Sequence, residues 1–287
     1  MRTLIREWSG LQRNNDCVIR IVPLGDVHIG SAACDEKRLQ QVVDGIAEDD
    51  DAYWLGMGDY AEFINRSDRR FDPAVLASWI DVADLVDLPR AQRDRFLSII
   101  KPIAGKCLGL IEGNHEQSIK ARFERDIYSE IVSIIKSWGG FEPDHQLAFG
   151  MYGYLRLVFK FGGNKRTAAV GITGNVHHGF TGGRLGGAKA LNMERWLWTH
   201  DADFVVFGHS HNADIFKRSV EGIDRQGNVI NTVRRGGFSG TFMRTINPDG
   251  PATYSERRGY LPLPLGGICI EIRPGMRYRW DMVRMWT

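Results

Sequence analysis

Five apolar runs in this chain each end beside a glycine and then present an imidazole, a carboxylate or an amide. Short apolar runs with glycine punctuation predict buried strands, and residues two apart on a strand point to the same side. In layered α/β proteins, functional sites lie where the chain leaves the carboxyl ends of strands. The sequence therefore predicts one shared site, built from Gly25-Asp26-Val27-His28, Gly58-Asp59, Gly113-Asn114-His115-Glu116, His177-His178-Gly179 and Gly208-His209-Ser210-His211.

The spacing of apolar residues predicts how strands and helices alternate. Residues 18–24, 53–57 and 107–111 are strand-like, and helical patterns separate them, which indicates βαβ layering. Asp72-Pro73 predicts a helix start, and one long helix is expected from Ile119 to Ile135. Further strands in the second half favour an α/β fold in one domain over 1–287, with two packed sheets, flanking helices and residues 1–17 as a candidate N-terminal extension.

Composition excludes several classes of protein. The chain has 287 residues, 43% of them hydrophobic, which is enough for a large core. Its 37 basic and 35 acidic residues argue against a protein dedicated to coating nucleic acid. Four widely spaced cysteines form no Cys-x-x-Cys motif. Residues 1–10 do not resemble a secretory signal, and no run approaches the roughly 18 apolar residues of a membrane span, so a cytoplasmic protein without a membrane partner is expected.

The residue types at the strand ends predict a metal centre. Carboxylate oxygens and imidazole nitrogens together suit divalent Mn, Fe, Zn, Ni or Co. Two ions with about four ligands each, sharing one carboxylate, would use the whole set. Asp59 is the natural bridge because its two oxygens can serve both ions. His177 and His178 are alternatives for one position, because neighbours on a strand face opposite sides. The candidate ligands are Asp26, His28, Asp59, Asn114, one of His177 and His178, His209 and His211.

In this order, the five motifs resemble those of the calcineurin-like metallophosphoesterase superfamily. The resemblance implies a four-layer αββα sandwich of two mixed sheets, with a dinuclear site at the carboxyl ends of the strands. It implies that Asp59 bridges two ions, and it favours His178 over His177 because the family motif has histidine before glycine. One ion would be held by Asp26, His28 and His211, and the other by Asn114, His178 and His209.

The same resemblance suggests catalytic and substrate-binding roles. His115 is implied as the acid that protonates the leaving oxygen, and Glu62 as the acid that orients His115. Asn114 and Arg184, the latter in a glycine-rich loop, are the candidate substrate contacts. Two divalent ions, Mn first, are the expected cofactors.

Three functions are compatible with these motifs. The favoured one is metal-dependent hydrolysis of a phosphodiester in DNA, RNA or a nucleotide, because arginine pairs at 69–70, 234–235 and 257–258 suit a polyanion. Ordinary solvent-exposed surface charge is the alternative interpretation of these pairs. The alternative is a phosphomonoesterase, acting on a small molecule or a protein. A scaffold without catalysis is the third reading, disfavoured because His115 and all ligand positions carry competent residues. The sequence leaves the oligomeric state open.

Overall fold

The computed structural model describes residues 2–12, 17–64, 66–68, 71–162, 168–180, 186–223, 226–248, 250–276 and 281–287. Within these residues, strands form two six-stranded sheets. The first sheet contains β1 (Arg2–Leu11), β6 (Tyr152–Phe161), β7 (Ala168–His177), β8 (Phe204–Phe207), β9 (Ile215–Ile223) and β10 (Val229–Phe238). The second contains β2 (Ile19–Leu24), β3 (Ala52–Gly56), β4 (Cys107–Ile111), β5 (Ala148–Gly150), β11 (Cys269–Ile272) and β12 (Val283–Trp286).

Both sheets are mixed. The first has the order β1-β6-β7-β8-β10-β9, in which β7, β8 and β10 run parallel. The second has the order β12-β11-β2-β3-β4-β5, in which β2 to β5 run parallel. Because neighbouring parallel strands end on the same side of a sheet, their carboxyl ends lie together, and the motifs follow these carboxyl ends. The helices are α1 (Glu36–Glu48), α2 (Leu88–Ile100), α3 (Asn114–Phe123), α4 (Ile127–Trp138), α5 (Gly186–Thr199) and α6 (Tyr254–Arg257).

Three apolar layers hold the sheets and helices together. Between the sheets, Ile21 and Leu55 of the second sheet belong to one buried cluster with Leu157 of the first. Helices α1 to α4 cover the outer face of the second sheet, and α5 packs on the outer face of the first through Met193 and Leu197. The central strands β3, β4 and β8 are covered on both faces and are accordingly near-continuous in apolar residues. The predicted αββα sandwich is confirmed.

The helix predicted from Asp72 is wrong beyond its first turn. The Asp72 carboxylate accepts a hydrogen bond from the Ala74 amide, as a helix cap should, but only a 3₁₀ turn over Pro73–Val75 follows. The chain then becomes extended because its backbone bonds to another loop: Val75 accepts from Ala32, and Ala77 donates to Gly30. Tertiary hydrogen bonds to the loop after β2 therefore replace the helical ones.

The long helix predicted across residues 119–135 is divided into α3 and α4. Glu124 follows α3 with a left-handed φ of 54°, which ends the helix, and Asp126 caps α4 by accepting from the Ser129 amide. Residues 2–11, which the sequence pattern did not assign to an element, form β1 and pair in parallel with β6.

Candidate dinuclear metal site

The five motifs meet where the carboxyl ends of the two sheets face each other. Three of them follow β2, β3 and β4, and two follow β7 and β8. The Asp26 amide donates to the Gly58 carbonyl at 3.0 Å, which ties neighbouring loops of the second sheet. The His209 amide donates to Asp26 Oδ2 at 2.8 Å, which ties the loops of the two sheets to each other. The backbone therefore fixes the spacing of the motifs.

The backbone around the site adopts conformations that ordinary residues seldom do. Positive φ values occur at seven described residues other than glycine, and five of these are candidate ligands: Asp26, His28, Asp59, His209 and His211. Such left-handed residues cost free energy and persist where the surroundings impose them, typically at functional sites. Gly113 is required for another reason, since a Cβ there would lie 2.2 Å from Asp59 Oδ1.

The ligand-type atoms fall into overlapping groups. The side chains of Asp26, His28 and His211 form one group, and those of Asp59, His178 and His209 form another, with the ligand atoms of each within 4.8 Å of one another. Asp59 also groups with His28 and His115. Asn114 Oδ1 lies 2.9 Å from His178 Nε2, which adds the amide to the second group. The structure thus brings the seven predicted ligands together, with Asp59 between the two groups.

Hydrogen bonds orient two of the imidazoles towards the centre of the cluster. His178 Nδ1 lies 2.8 Å from the Met57 carbonyl, so this nitrogen carries the proton and Nε2 faces Asn114. His28 Nδ1 lies 2.9 Å from Glu62 Oε2, and its Nε2 faces His211 Nε2 at 3.3 Å. Two ring nitrogens that face each other need a cation or a proton between them. Metal-binding histidines commonly have this arrangement, in which one ring nitrogen bonds to a protein oxygen and the other faces the metal.

The charges of the cluster also fit divalent cations. Asp26 Oδ1 is buried and has no hydrogen-bond partner among the residues that the structure describes, and burial raises the pKa of Asp26 to about 7. Burial alone would lower the pKa of His28, but Glu62 and the neighbouring carboxylates outweigh it and raise that pKa to about 9. The pKa of His178 rises to about 10 in the same way, through Asp59. Cations bound here would displace those protons and keep Asp26 ionised.

The two adjacent histidines have different surroundings. His178 is buried in the ligand cluster. The His177 ring instead packs against Trp196, Tyr152 and Phe207 under α5, and its Nδ1 accepts from the Gly179 amide at 2.6 Å. Strand alternation explains the difference, because neighbours on β7 face opposite sides of the sheet.

Glu62 contacts a different histidine from the one expected. Its carboxylate was expected to orient His115, but Oε2 instead binds Nδ1 of the candidate ligand His28. His115 is held by the main chain of the same residue, since its Nδ1 lies 2.5 Å from the Glu62 carbonyl. A carbonyl only accepts, so the His115 proton is on Nδ1 and Nε2 is directed elsewhere, 4.0 Å from Asp59 Oδ2. Residue 62 therefore orients two histidines through two different oxygens.

We expect Glu62→Gln to weaken metal binding about 10- to 100-fold, because a neutral partner reduces the basicity of His28. The backbone contact to His115 is unchanged by this substitution. Titration of metal-free protein with Mn²⁺ measures the effect, and saturating Mn²⁺ should restore most of the activity. Glu194→Gln, which alters only a surface ion pair with Arg218, is the control. Unchanged Mn²⁺ affinity in Glu62→Gln would contradict a role through His28.

Glu116 is a structural part of the site that the sequence reasoning did not assign. Its buried carboxylate accepts three backbone hydrogen bonds, from the amides of Asp59 (3.0 Å), Tyr60 (2.8 Å) and Gly113 (2.8 Å). It thereby joins the loop that carries Asp59 to the start of α3. The sequence carried a signal for part of this role, because an acid at the third position of a helix often accepts from the backbone amide of the N-cap residue, here Gly113. Its bonds to the β3 loop could be known only from the fold.

Glu116→Gln should lower the thermal stability and weaken the binding of Mn²⁺. A glutamine amide has one acceptor oxygen for three donors, so at least one buried N–H loses its partner, at a cost of about 1–3 kcal/mol. Thermal unfolding of metal-free protein and Mn²⁺ titration measure the two effects. Glu112→Gln, in the same loop but outside the cluster, is the matched control. A variant with unchanged melting temperature would contradict the bracing role.

The predicted substrate contacts are only partly visible. Arg184 and the arginine pair 69–70 lie outside the described residues. Lys189, in the first turn of α5, is buried and donates to the Ser210 carbonyl and to the Asn212 side chain. It thereby holds the loop after β8, which carries the candidate ligands His209 and His211. Arg234 donates to the carbonyl of Leu197 in α5 and to that of His200 just after it, and Arg257 pairs with Asp72. The guanidinium groups of Arg234 and Arg257 therefore already have partners within the protein.

The sequence matches a family model over the region that carries this site. The model, described as calcineurin-like phosphoesterase, matches residues 19–213, about two thirds of the chain. The chain belongs to the calcineurin-like phosphoesterase family. As the sequence indicated, it is a hydrolase of phosphoesters, and the family depends on metal. No curated protein matches the chain.

Solved structures add distant similarities. A conserved uncharacterised protein of Streptococcus pneumoniae, described as a predicted phosphoesterase, is 11% identical, with a TM-score of 0.28, over 94% of this chain and 98% of that one. The NAD nucleotidase of Haemophilus influenzae is also 11% identical, with a TM-score of 0.37, over 94% of this chain and 49% of that one. Among the described residues, no helix has the length and apolar character needed to cross a bilayer.

Proposed function

We propose that this phosphoesterase hydrolyses phosphodiesters of DNA, RNA or nucleotides with two divalent ions, Mn²⁺ first. The observation that carries the proposal is the position of Asp59, whose carboxylate groups with His28 on one side and with His178 and His209 on the other. Asp26, His28 and His211 would hold one ion, and Asn114, His178 and His209 the other. Bound ions would lower the pKa of water and neutralise phosphoryl oxygens.

The protein groups have separate tasks in this proposal. The Glu62 carbonyl holds the His115 ring through the proton on Nδ1. To act as the acid, His115 also carries a second proton on Nε2, which it donates to the leaving oxygen. The His115 amide donates to Asp59 Oδ1 at 2.9 Å, which links the proposed acid to the proposed bridging ligand. Asn114 begins α3, so its side chain and the helix N-terminus both favour an anionic substrate oxygen there.

The choice of a diester over a monoester rests on the sequence, whose arginine pairs suit a polyanion. Arg184, outside the described residues, stays a proposed substrate contact. The four free cysteines agree with the predicted cytoplasmic location. That residues 1–287 form one domain stays a prediction.

Hydrolysis of bis-p-nitrophenyl phosphate against p-nitrophenyl phosphate, in Mn²⁺, tests the proposal. We expect a higher kcat/KM for the diester and its loss in metal-free protein. Preference for the monoester would replace the proposal with a phosphomonoesterase. Binding of two Mn²⁺ without hydrolysis of either compound would contradict it and favour the scaffold.

A further inference from the structure

Gln92 is a fully buried polar residue on a face of α2 that is otherwise apolar. Its neighbours one turn away on that face, Leu88 and Phe96, are buried as well. A glutamine with no exposed surface loses its hydrogen bonds to water, so bonds within the protein must replace them. The side-chain oxygen makes such a bond, because Gln92 Oε1 accepts from the Phe63 amide at 2.8 Å.

The Phe63 amide belongs to the peptide unit that holds His115. The carbonyl of this unit is that of Glu62, which lies 2.5 Å from His115 Nδ1. A trans peptide unit is planar, and its N–H and C=O point in opposite directions. One rigid group therefore bonds to Gln92 on one side and to the His115 ring on the other, so a rotation of this group moves both contacts together.

The backbone around this peptide unit is held from both sides. The Glu62 amide donates to the Ile29 carbonyl at 2.9 Å. Phe63 then has a left-handed φ of 49°, which costs free energy for a bulky residue and persists where the surroundings impose it. Gln92 is part of those surroundings. Loss of its oxygen would leave a buried N–H without a partner and allow the peptide unit to rotate.

The space for Gln92 comes from the loop that carries the candidate ligand His28. Gly30 follows His28 by two residues, and a Cβ on Gly30 would lie 2.2 Å from Gln92 Nε2. This nitrogen has no hydrogen-bond partner among the described residues, so the bond to the Phe63 amide sets the orientation of the side-chain amide. Gln92 thus lies between the loop of a candidate metal ligand and the peptide unit that holds His115.

We propose that Gln92 is a positioning residue for His115. Its oxygen fixes the plane of the 62–63 peptide unit, and the carbonyl of that unit fixes the ring in the orientation that protonates the leaving oxygen. Gln92 acts through the main chain. This inference rests on the proposed function, since it takes His115 as the acid, and it adds to the site a residue of α2 that none of the five motifs contains.

Gln92→Met keeps the length of the side chain and removes its acceptor. In Mn²⁺, we expect kcat for a dinucleotide to fall about 10- to 100-fold, the scale that a misplacement of roughly 1 Å produces. The rate with bis-p-nitrophenyl phosphate, whose leaving group needs no proton, should change little. In the His115→Ala background, the same substitution should cause no further loss.

Three further variants complete the experiment. Gln92→Glu keeps an oxygen at the same reach and should restore most of the dinucleotide rate. Gln40→Met is the matched control, because that glutamine donates to Asp44 on α1, and it should keep the wild-type rate. Where thermal unfolding shows that Gln92→Met is not folded, Gln92→Asn replaces it with the same expectations, since its oxygen lies one methylene short of the Phe63 amide.

An NMR signal gives a readout that does not depend on turnover. In protein loaded with diamagnetic Zn²⁺, the Nδ1–H resonance of His115, identified by its loss in His115→Ala, should shift in Gln92→Met. An unchanged resonance, equal losses for both substrates, no loss at all, or a further loss in the His115→Ala background would overturn the positioning role. Failure of the wild type to hydrolyse either substrate would overturn the proposed function instead, and the resonance would still decide whether Gln92 orients the ring.

Discussion

Asp59→Ala is expected to abolish hydrolysis, with a loss of about 10³-fold or more in kcat/KM, the scale seen when preorganised charge is removed from an active site. Asp59 lies between the two ligand groups, and its Oδ2 is 3.3 Å from His178 Nε2. Its Oδ1 also accepts from the His115 amide. The substitution therefore removes the shared carboxylate and one support of the proposed acid. Steady-state kinetics with bis-p-nitrophenyl phosphate and the Mn²⁺ stoichiometry measure both effects.

Two further variants distinguish loss of the bridge from general damage. Asp59→Asn keeps the size of the side chain and removes its charge, so it should also fail to bind two Mn²⁺ ions tightly. Asp201→Ala removes a fully exposed aspartate that pairs with Arg234, and it should keep the wild-type rate. Wild-type turnover by Asp59→Ala, with two Mn²⁺ ions bound, would contradict the bridging assignment.

The positions of the candidate ligands could be read from the sequence because the ends of strands are encoded locally. An apolar run, a glycine and a ligand-type residue are visible without knowing the fold. For the same reason, 107–111 was assigned with the bounds that β4 has. That the five motifs would lie close together followed from one general rule, namely that the carboxyl ends of parallel strands lie on the same side of a sheet.

Features that depend on contacts between distant segments were not predictable in this way. The three residues of β5 are too few for a periodic signal, and β1 was unassigned because it is an edge strand with many exposed polar side chains. The helix after Asp72 was lost to hydrogen bonds with the β2 loop. Glu62 was correctly placed near the histidines, but spacing alone cannot show which oxygen meets which ring.

His115→Ala should separate the chemical step from metal binding. His115 is not among the seven candidate ligands, and its ring is held by a main-chain carbonyl, so its removal leaves the other ligand contacts in place. A general acid contributes about 10²- to 10⁴-fold to rate when the leaving oxygen is basic. We therefore expect a loss of that size in kcat for a dinucleotide, whose alkoxide leaving group needs the proton. Mn²⁺ affinity should change little.

A comparison of substrates with different leaving groups distinguishes a role of His115 as proton donor from a purely structural role. p-Nitrophenolate is stable as an anion and needs no proton, so kcat for bis-p-nitrophenyl phosphate should fall much less than kcat for the dinucleotide. His115→Gln keeps a polar side chain of similar reach but cannot act as an acid, and it should show the same pattern. Equal losses for both substrates would instead indicate that the ring only positions Asp59, through which both reactions would suffer alike.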